Sequence, residues 1–257
     1  MPIITLLTDF GLADPFVGVM KGVILSINPR VQVVDITHQV RPQDIQEAAF
    51  LLWDSYRHFP PATVHVAVVD PGVGSQRLPI ALSAQGHFFV GPDNGLFSPV
   101  LEALKEVVAI ENPAYMLPRP SRTFHGRDIF APAAAWLTRG VALQELGPLL
   151  SKEALKRLPL AKARKEGQRV VGQIVHIDRF GNCISNIPAE MLQGLRGPVV
   201  LAAGRRLRLY EHYSQAEPLG AGALINSSGL LEVFLFRGSA AEGLGLRRGQ
   251  EVEVVAT

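Results

Sequence analysis

Residues 3–37 read IITLLTDFGLADPFVGVMKGVILSINPRVQVVDIT, and this stretch decides the fold. Ile3 to Thr8 is a short apolar, β-branched run of the kind that forms a buried strand. From Asp14 onward, with Pro15 in the first helical turn, Phe16, Met20, Val23 and Ile27 recur at helical spacing until Asn28 and Pro29 stop the run. Val31 to Thr37 gives a second strand. Strand, amphipathic helix and strand in direct succession predict a crossover in a mainly parallel sheet.

Working outward, the same alternation continues. Pro42 and Asp44 open a helix through Ile45, Ala48, Ala49, Leu52 and Tyr56, closed by Pro60-Pro61, and Thr63 to Val69 reads as a third strand. Ile80 to Ser83 and Phe88 to Val90 form a pair around the Gln85-Gly86 turn. A short helix near Phe97 to Lys105, a strand at Val107 to Ile110, and a helix from Arg127 to Thr138 that must accommodate Pro132 follow. After the charged stretch 151–169 the rhythm changes to short strand-like segments separated by Gly, Pro and Asn: Val170 to Ile177, Cys183 to Ile187, Pro198 to Ala202, Arg206 to Tyr210, Ala223 to Asn226, Leu231 to Phe236 and Glu251 to Val255. Such spacing predicts a small antiparallel barrel or sandwich. The expected fold class is therefore α/β, with a Rossmann-like α/β domain over 1–164 and a small antiparallel β-barrel domain over 165–257.

Composition narrows the function. The chain has 257 residues, 47% hydrophobic but broken throughout by 24 Gly and 19 Pro, so no run of about 18 apolar residues exists to span a bilayer. Asp9 comes too early, and no basic residue precedes the apolar start, for a signal peptide; a cytoplasmic protein is expected. The single Cys183 leaves no intrachain disulfide and no cysteine-built zinc site. A net charge of +2 is a weak field, and the basic stretch 151–169 carries no interleaved aromatics to stack on bases, so neither nucleic acid nor membrane is expected as a partner.

Several predicted strands end in an acidic residue beside a turn: Asp9, Asp35, Asp70 and Asp93. Each alone is a good turn former. Four at one edge of an open α/β sheet, where ligands bind, suggest a site. There is no GxGxxG after the first strand, no GxxxxGK[ST], no GxSxG, and no HxxxH or HxH pair, which argues against dehydrogenase, kinase, serine-hydrolase and metal-hydrolase patterns. His125 in RTFHGRD joins an imidazole to flanking guanidinium and carboxylate groups, either for proton exchange or as a histidine at a helix start. HIDRFGN (176–182) and NSSGLLE (226–232) are polar turns between apolar strands, suited to a purine or amino-acid ligand or simply to barrel turns.

Together these segments resemble the S-adenosyl-L-methionine (SAM) hydrolase family, also called SAM hydroxide adenosyltransferases, relatives of the SAM-dependent fluorinating and chlorinating enzymes. The resemblance rests on seven collinear blocks: LLTDFGLADPFVGVMKGVI (6–24), VVDITH (33–38), VHVAVVDPGVGS (64–75), FVGPDNGLF (89–97), FHGRDIFAPAAA (124–135), HIDRFGNCISNI (176–187) and NSSGLLEVFLFRGSAAEGLG (226–245). It implies attack of water or hydroxide on the ribose C5′ of SAM, giving adenosine and L-methionine, in a homotrimer whose sites lie between subunits. It implies that Asp70, Arg77 and His125 activate the water, with either Asp70 or His125 taking the proton, and that no cofactor or metal takes part. Asp9 would bind the ribose hydroxyls, Asp178 the methionine ammonium, Asn182 the adenine edge and Phe180 the ring. Ser227 or Ser228 would meet the methionine carboxylate, and the backbone near Ser239 and Ala240 would read the purine. Halogenating relatives lack the Asp, Arg and His set together, so its completeness here points to water over halide. The competing expectations are a SAM or adenosine sensor without turnover, a SAM-dependent halogenase, and a metal-dependent hydrolase.

Overall fold

The computed structural model describes residues 1–218 and 220–257, in two compact units, Met1–Leu158 and Pro159–Thr257. The division falls ahead of residue 165, since Ala163 packs against the core of the second unit. Among the described residues, no helix is long and apolar enough to cross a membrane.

In the first unit, strands β1 (Ile3–Thr8), β2 (Gln32–Thr37), β3 (Val64–Val68), β4 (Pro79–Ala84), β5 (His87–Pro92) and β6 (Leu104–Ala109) form one sheet in the order β2-β1-β3-β5-β4-β6. The run β2-β1-β3-β5 is parallel, and β4 alone runs against its neighbours. The β4–β5 hairpin turns at Gln85 and Gly86, both at positive φ (52° and 79°), as a tight two-residue turn between right-twisted strands requires. Side-chain alternation along the strands feeds two cores. Ile4, Leu6, Val64, Val66 and Val68 pack with helix α1 (Phe16–Ile27) and helix α3 (Ala131–Leu137), while Leu7, Ala67, Val69 and Phe89 pack with helix α2 (Ile45–Ser55). The chain passes from β1 to β2 on one side and then to β3 on the other, so the order reverses between β1 and β3. Ligands bind at such a reversal, outside the carboxyl ends of the strands.

The helix expected from Arg127 to Thr138 is two pieces. A π-helical turn covers Gly126–Phe130 and α3 continues from Ala131. Pro132 is the cause: lacking an N–H, it leaves the Asp128 carbonyl without its helical donor. The Leu117 N–H supplies that bond instead, at 2.9 Å. The helix expected near residues 97–105 is a 3-10 segment, Ser98–Ala103.

In the second unit, β7 (Arg164–Glu166), β8 (Arg169–Ile177), β9 (Cys183–Pro188), β10 (Val199–Ala202), β11 (Arg205–Arg208), β12 (Ala221–Ile225), β13 (Leu230–Leu235) and β14 (Glu251–Val255) make an antiparallel sheet ordered β11-β10-β14-β8-β9-β13-β12, with β7 beside β8. A bridge between Leu209 and Ala223 nearly closes it into a barrel. Helix α4 (Ala240–Leu244) is capped by Ser239, whose Oγ accepts from the Glu242 N–H. Val170, Ile174, Ile187, Val233, Val252 and Val254 fill the interior.

Candidate active site

Asp9, Asp70 and Asp93 lie just beyond the carboxyl ends of β1, β3 and β5, and Asp35 lies in the last half of β2, all in the four mutually parallel strands, so the sheet does bring them towards one edge. Their surroundings differ. Asp93 is buried and accepts the Lys156 N–H at 2.9 Å; burial, the largest influence, pushes its pKa up. It anchors the segment leaving the sheet. Asp35 receives Lys21 Nζ at 2.6 Å and stands 3.0 Å from His38 Nε2, whose Nδ1 meets Thr8 Oγ1 at 2.8 Å. Burial opposes ionisation of Asp35, but the bonds from Lys21 and His38 outweigh it and hold its pKa low. Asp35 is thus part of a local network, and Asp9 and Asp70 are the two carboxylates flanking the β1/β3 reversal. Asp9 Oδ2 accepts the Gln43 N–H at 2.8 Å.

Asp70 opens the turn DPGVGSQR, whose far end returns Arg77 to it. Arg77 Nε donates to Asp70 Oδ1 at 3.0 Å and Arg77 Nη2 to Asp70 Oδ2, a two-pronged guanidinium–carboxylate pair with both side chains over nine-tenths buried. Arg77 Nη2 also lies 2.7 Å from His125 Nδ1. The guanidinium rests 5.4 Å from the Phe130 ring centroid, and His125 meets that ring edge-on. The sequence-predicted trio is therefore one hydrogen-bonded cluster. Arg77 Nη1 is buried and makes no hydrogen bond among the described residues.

Two glycines make this assembly possible. Gly74 has φ +77°, and a Cβ there would collide with the Arg122 carbonyl, so the Asp70 turn lies directly on the strand of chain leading to His125. At Gly126, a Cβ would stand 3.2 Å from Met20 Sδ and from the Phe124 ring, which itself joins Phe10 and Phe16 in an edge-to-face cluster. Asp128, the carboxylate that flanks His125 in RTFHGRD, fastens the same loop: it accepts Ser121 N–H at 2.8 Å and Arg127 Nε at 2.6 Å. Burial works against its charge, yet these bonds keep its pKa low.

The second unit gathers another set. Asp178 Oδ1 accepts the N–H groups of Phe180 and Asn182, each at 2.9 Å, and Asp178 Oδ2 accepts Asn182 Nδ2 at 3.1 Å. That fills three of roughly four acceptor positions on a carboxylate, leaving room for one more donor. Phe180 is 77% exposed, far out of line for a phenyl ring on a single surface turn. Gly181, at φ +83°, packs so tightly on Ser239 that no side chain fits, and its carbonyl accepts the Ala241 N–H at 2.9 Å. Asp178, Phe180, Asn182, Ser239 and Ala240 thus share one corner. The turn with Ser227 and Ser228 is held by Asn226, whose Oδ1 accepts the Ser228 and Leu230 N–H groups. Its Nδ2 donates to Glu232 at 3.2 Å, and Tyr213 donates to the same carboxylate at 2.8 Å. Burial pushes the Glu232 pKa up, with the Asp178 charge adding to it. Glu232 was visible in NSSGLLE as the one charge on an apolar strand; nothing in the sequence announced Tyr213 as its partner.

Among the described residues, no group of three or more His, Cys, Asp or Glu is arranged to hold a metal ion.

Known proteins resemble this chain along nearly its whole length. Residues 4–147 match the SAM hydroxide adenosyltransferase N-terminal domain, and residues 172–253 the C-terminal domain of the same family. A relative from Thermus thermophilus, (R)-S-adenosyl-L-methionine hydrolase, is 41% identical, covering 97% of this chain and 98% of its own. The crystal structure of an uncharacterized conserved protein from Thermotoga maritima superposes with a TM-score of 0.92 at 35% identity, covering 98% of this chain and 99% of the other. A fluorinase from Nocardia brasiliensis matches at 28% identity over 98% of this chain and 96% of its own. With both domains matched in order and relatives aligned from end to end, the chain belongs to the SAM hydroxide adenosyltransferase family.

Proposed function

We propose that the protein hydrolyses SAM to adenosine and L-methionine by placing a water-derived oxygen on ribose C5′. The observation that carries the reading is the half-buried Asp70–Arg77–His125 cluster beside the β1/β3 reversal, in a chain 41% identical to a SAM hydrolase. A charged, hydrogen-bonding cluster fits an oxygen nucleophile, and the greater distance of fluorinases from this chain fits the same choice over halide. The sulfonium of SAM is already activated: its C5′–S bond breaks to a neutral thioether, which needs neither an acid nor a Lewis-acidic metal, so turnover proceeds without cofactor.

In the same reading, Asp9 accepts both ribose hydroxyls, a task for which paired carboxylate oxygens suit a vicinal diol. Asp178 uses its remaining acceptor position for the methionine ammonium, Asn182 meets the adenine edge, and Phe180 covers the ring. The turn bearing Ser227 and Ser228 takes the methionine carboxylate, while the backbone at Ser239 and Ala240 reads the purine. The subunits form a homotrimer in which each complete site draws on two chains.

The test is incubation of chelator-treated protein with SAM in ¹⁸O-labelled water, with and without chloride, followed by mass spectrometry. Methionine plus adenosine labelled at the 5′ oxygen is the expected result. Unchanged SAM would move the assignment to a binding protein, 5′-chloro-5′-deoxyadenosine to a halogenase, and loss of turnover with chelator to a metal-dependent reaction.

A further inference from the structure

The contact between Arg77 and His125 fixes where the imidazole keeps its hydrogen. A guanidinium has donors only, so at 2.7 Å from Arg77 Nη2 the His125 Nδ1 is the acceptor and carries a lone pair. The ring hydrogen then sits on Nε2, because the tautomer is set by the bond the other nitrogen makes. The two hydrogens of Arg77 Nη2 are both committed, one to Asp70 Oδ2 and one to His125. Protonating Nδ1 would set two N–H groups against each other. The charged groups around the ring are Arg77, Asp70 and Asp128; burial and then Arg77 lower the His125 pKa, and the two carboxylates only partly offset them. Asp70 is no better placed to take a proton, with both oxygens bound to a permanent cation.

What the cluster offers is therefore hydrogen-bond donors: His125 Nε2–H and the buried, unpartnered Arg77 Nη1. Donors hold an anion, and they raise no nucleophile by removing its proton. We infer that His125 acts as a fixed Nε2–H donor to a hydroxide ion drawn from solvent, and that neither His125 nor Asp70 serves as a base. The inference rests on the SAM hydrolysis proposed above. In the step, a lone pair of hydroxide forms the O–C5′ bond while the C5′–S pair goes to sulfur. The anion and the sulfonium cancel, adenosine and methionine leave, and no proton is transferred. Arg77 is the positioning group that selects the tautomer, and Asp70 holds Arg77.

Two measurements test this. The first is kcat/KM for SAM between pH 6 and 9 for the wild type, His125→Gln and His125→Ala. Glutamine places an amide N–H where Nε2 stood and cannot act as a base. The expected outcome is a tenfold rise per pH unit with no plateau, a loss of about tenfold in His125→Gln, and a loss of about 10²–10³ in His125→Ala, the scale for removing one anion-stabilising donor. A plateau above the imidazole range, with His125→Gln as slow as His125→Ala, overturns it. The second is the ¹⁵N spectrum of histidine-labelled protein, which needs no turnover and so separates failure of this inference from failure of the hydrolase reading. A neutral ring with Nδ1 bare and Nε2 protonated from pH 7 to 9 is expected; a neutral ring with its hydrogen on Nδ1 overturns the inference.

Discussion

Acidification should weaken the fold through a histidine far removed in role from the trio. His65 is completely buried on β3, its Nδ1 2.8 Å from Thr5 Oγ1 and its Nε2 3.2 Å from His87 Nδ1, with Phe89 stacked on it and Tyr56 and Phe59 edge-on. Burial, with the neighbouring His87 second, lowers its pKa from 6.5 to about 3. A depressed folded-state pKa means that the unfolded chain binds the proton and the folded chain refuses it. The stability is therefore whole above pH 6.5 and drains as pH falls from there towards 3. Integrating between those two values gives a loss of about 2 kcal/mol at pH 5 and about 3 kcal/mol at pH 4, with about 5 kcal/mol as the limit. Urea unfolding at pH 7.5, 6, 5 and 4 measures this in the wild type and in Thr5→Val/His65→Leu, which replaces the hydrogen-bonded pair by apolar groups of similar shape. The difference between the two proteins should shrink or reverse by those amounts as pH falls. Curves that stay parallel from pH 7.5 to 4 would refute the argument, because they would mean that His65 titrates equally in both states.

Three further outcomes follow from particular contacts. Gly74→Ala combines a positive φ with a collision at the Arg122 carbonyl, whereas Gly140→Ala, at φ +90°, meets open space; both should lower Tm, but only Gly74→Ala should reduce kcat, by about 10²-fold, because it displaces the Asp70 turn. Asp178→Asn should raise KM for SAM about tenfold or more with a smaller change in kcat, since an amide presents an N–H₂ where an ammonium needs an acceptor; an unchanged KM would remove Asp178 from the site. For the homotrimer proposed above, co-expressing Asp70→Asn with Asp178→Asn, assayed at SAM well below KM, tests sharing of sites between subunits: random mixing should give about a quarter of wild-type activity if each site takes its two halves from different chains, and only the residual activity of the two variants expressed separately if one chain supplies both.

The sequence carried the fold because its signals are local. The period switch across residues 3–37 and the punctuation by Asn28-Pro29 and Pro60-Pro61 are both properties of neighbouring residues, and the strands lie where those signals put them. The same locality let the strand-end aspartates be gathered at one edge, since parallel strands bring like ends together. It also set the limit. Nothing near Pro132 indicates that Leu117 takes over the Asp128 carbonyl, so from sequence the π-helical turn under His125 looks like plain helix. Asp93 and Asp9 look alike in sequence, each an acid near a glycine turn, yet one is consumed by the Lys156 backbone and the other stands beside the reversal.

The sharpest case is the trio itself. Residue types alone allow His125 to be acid, base or donor, because an imidazole can be any of these. What separates the roles is which nitrogen faces which partner, and that depends on Arg77, 48 positions away, being turned back by the DPGVGS loop and pinned by Asp70. Once the guanidinium occupies Nδ1, the histidine has a proton to offer and no place to receive one. The pH profile of His125→Gln is thus the experiment in which this arrangement and ordinary general-base catalysis give opposite answers.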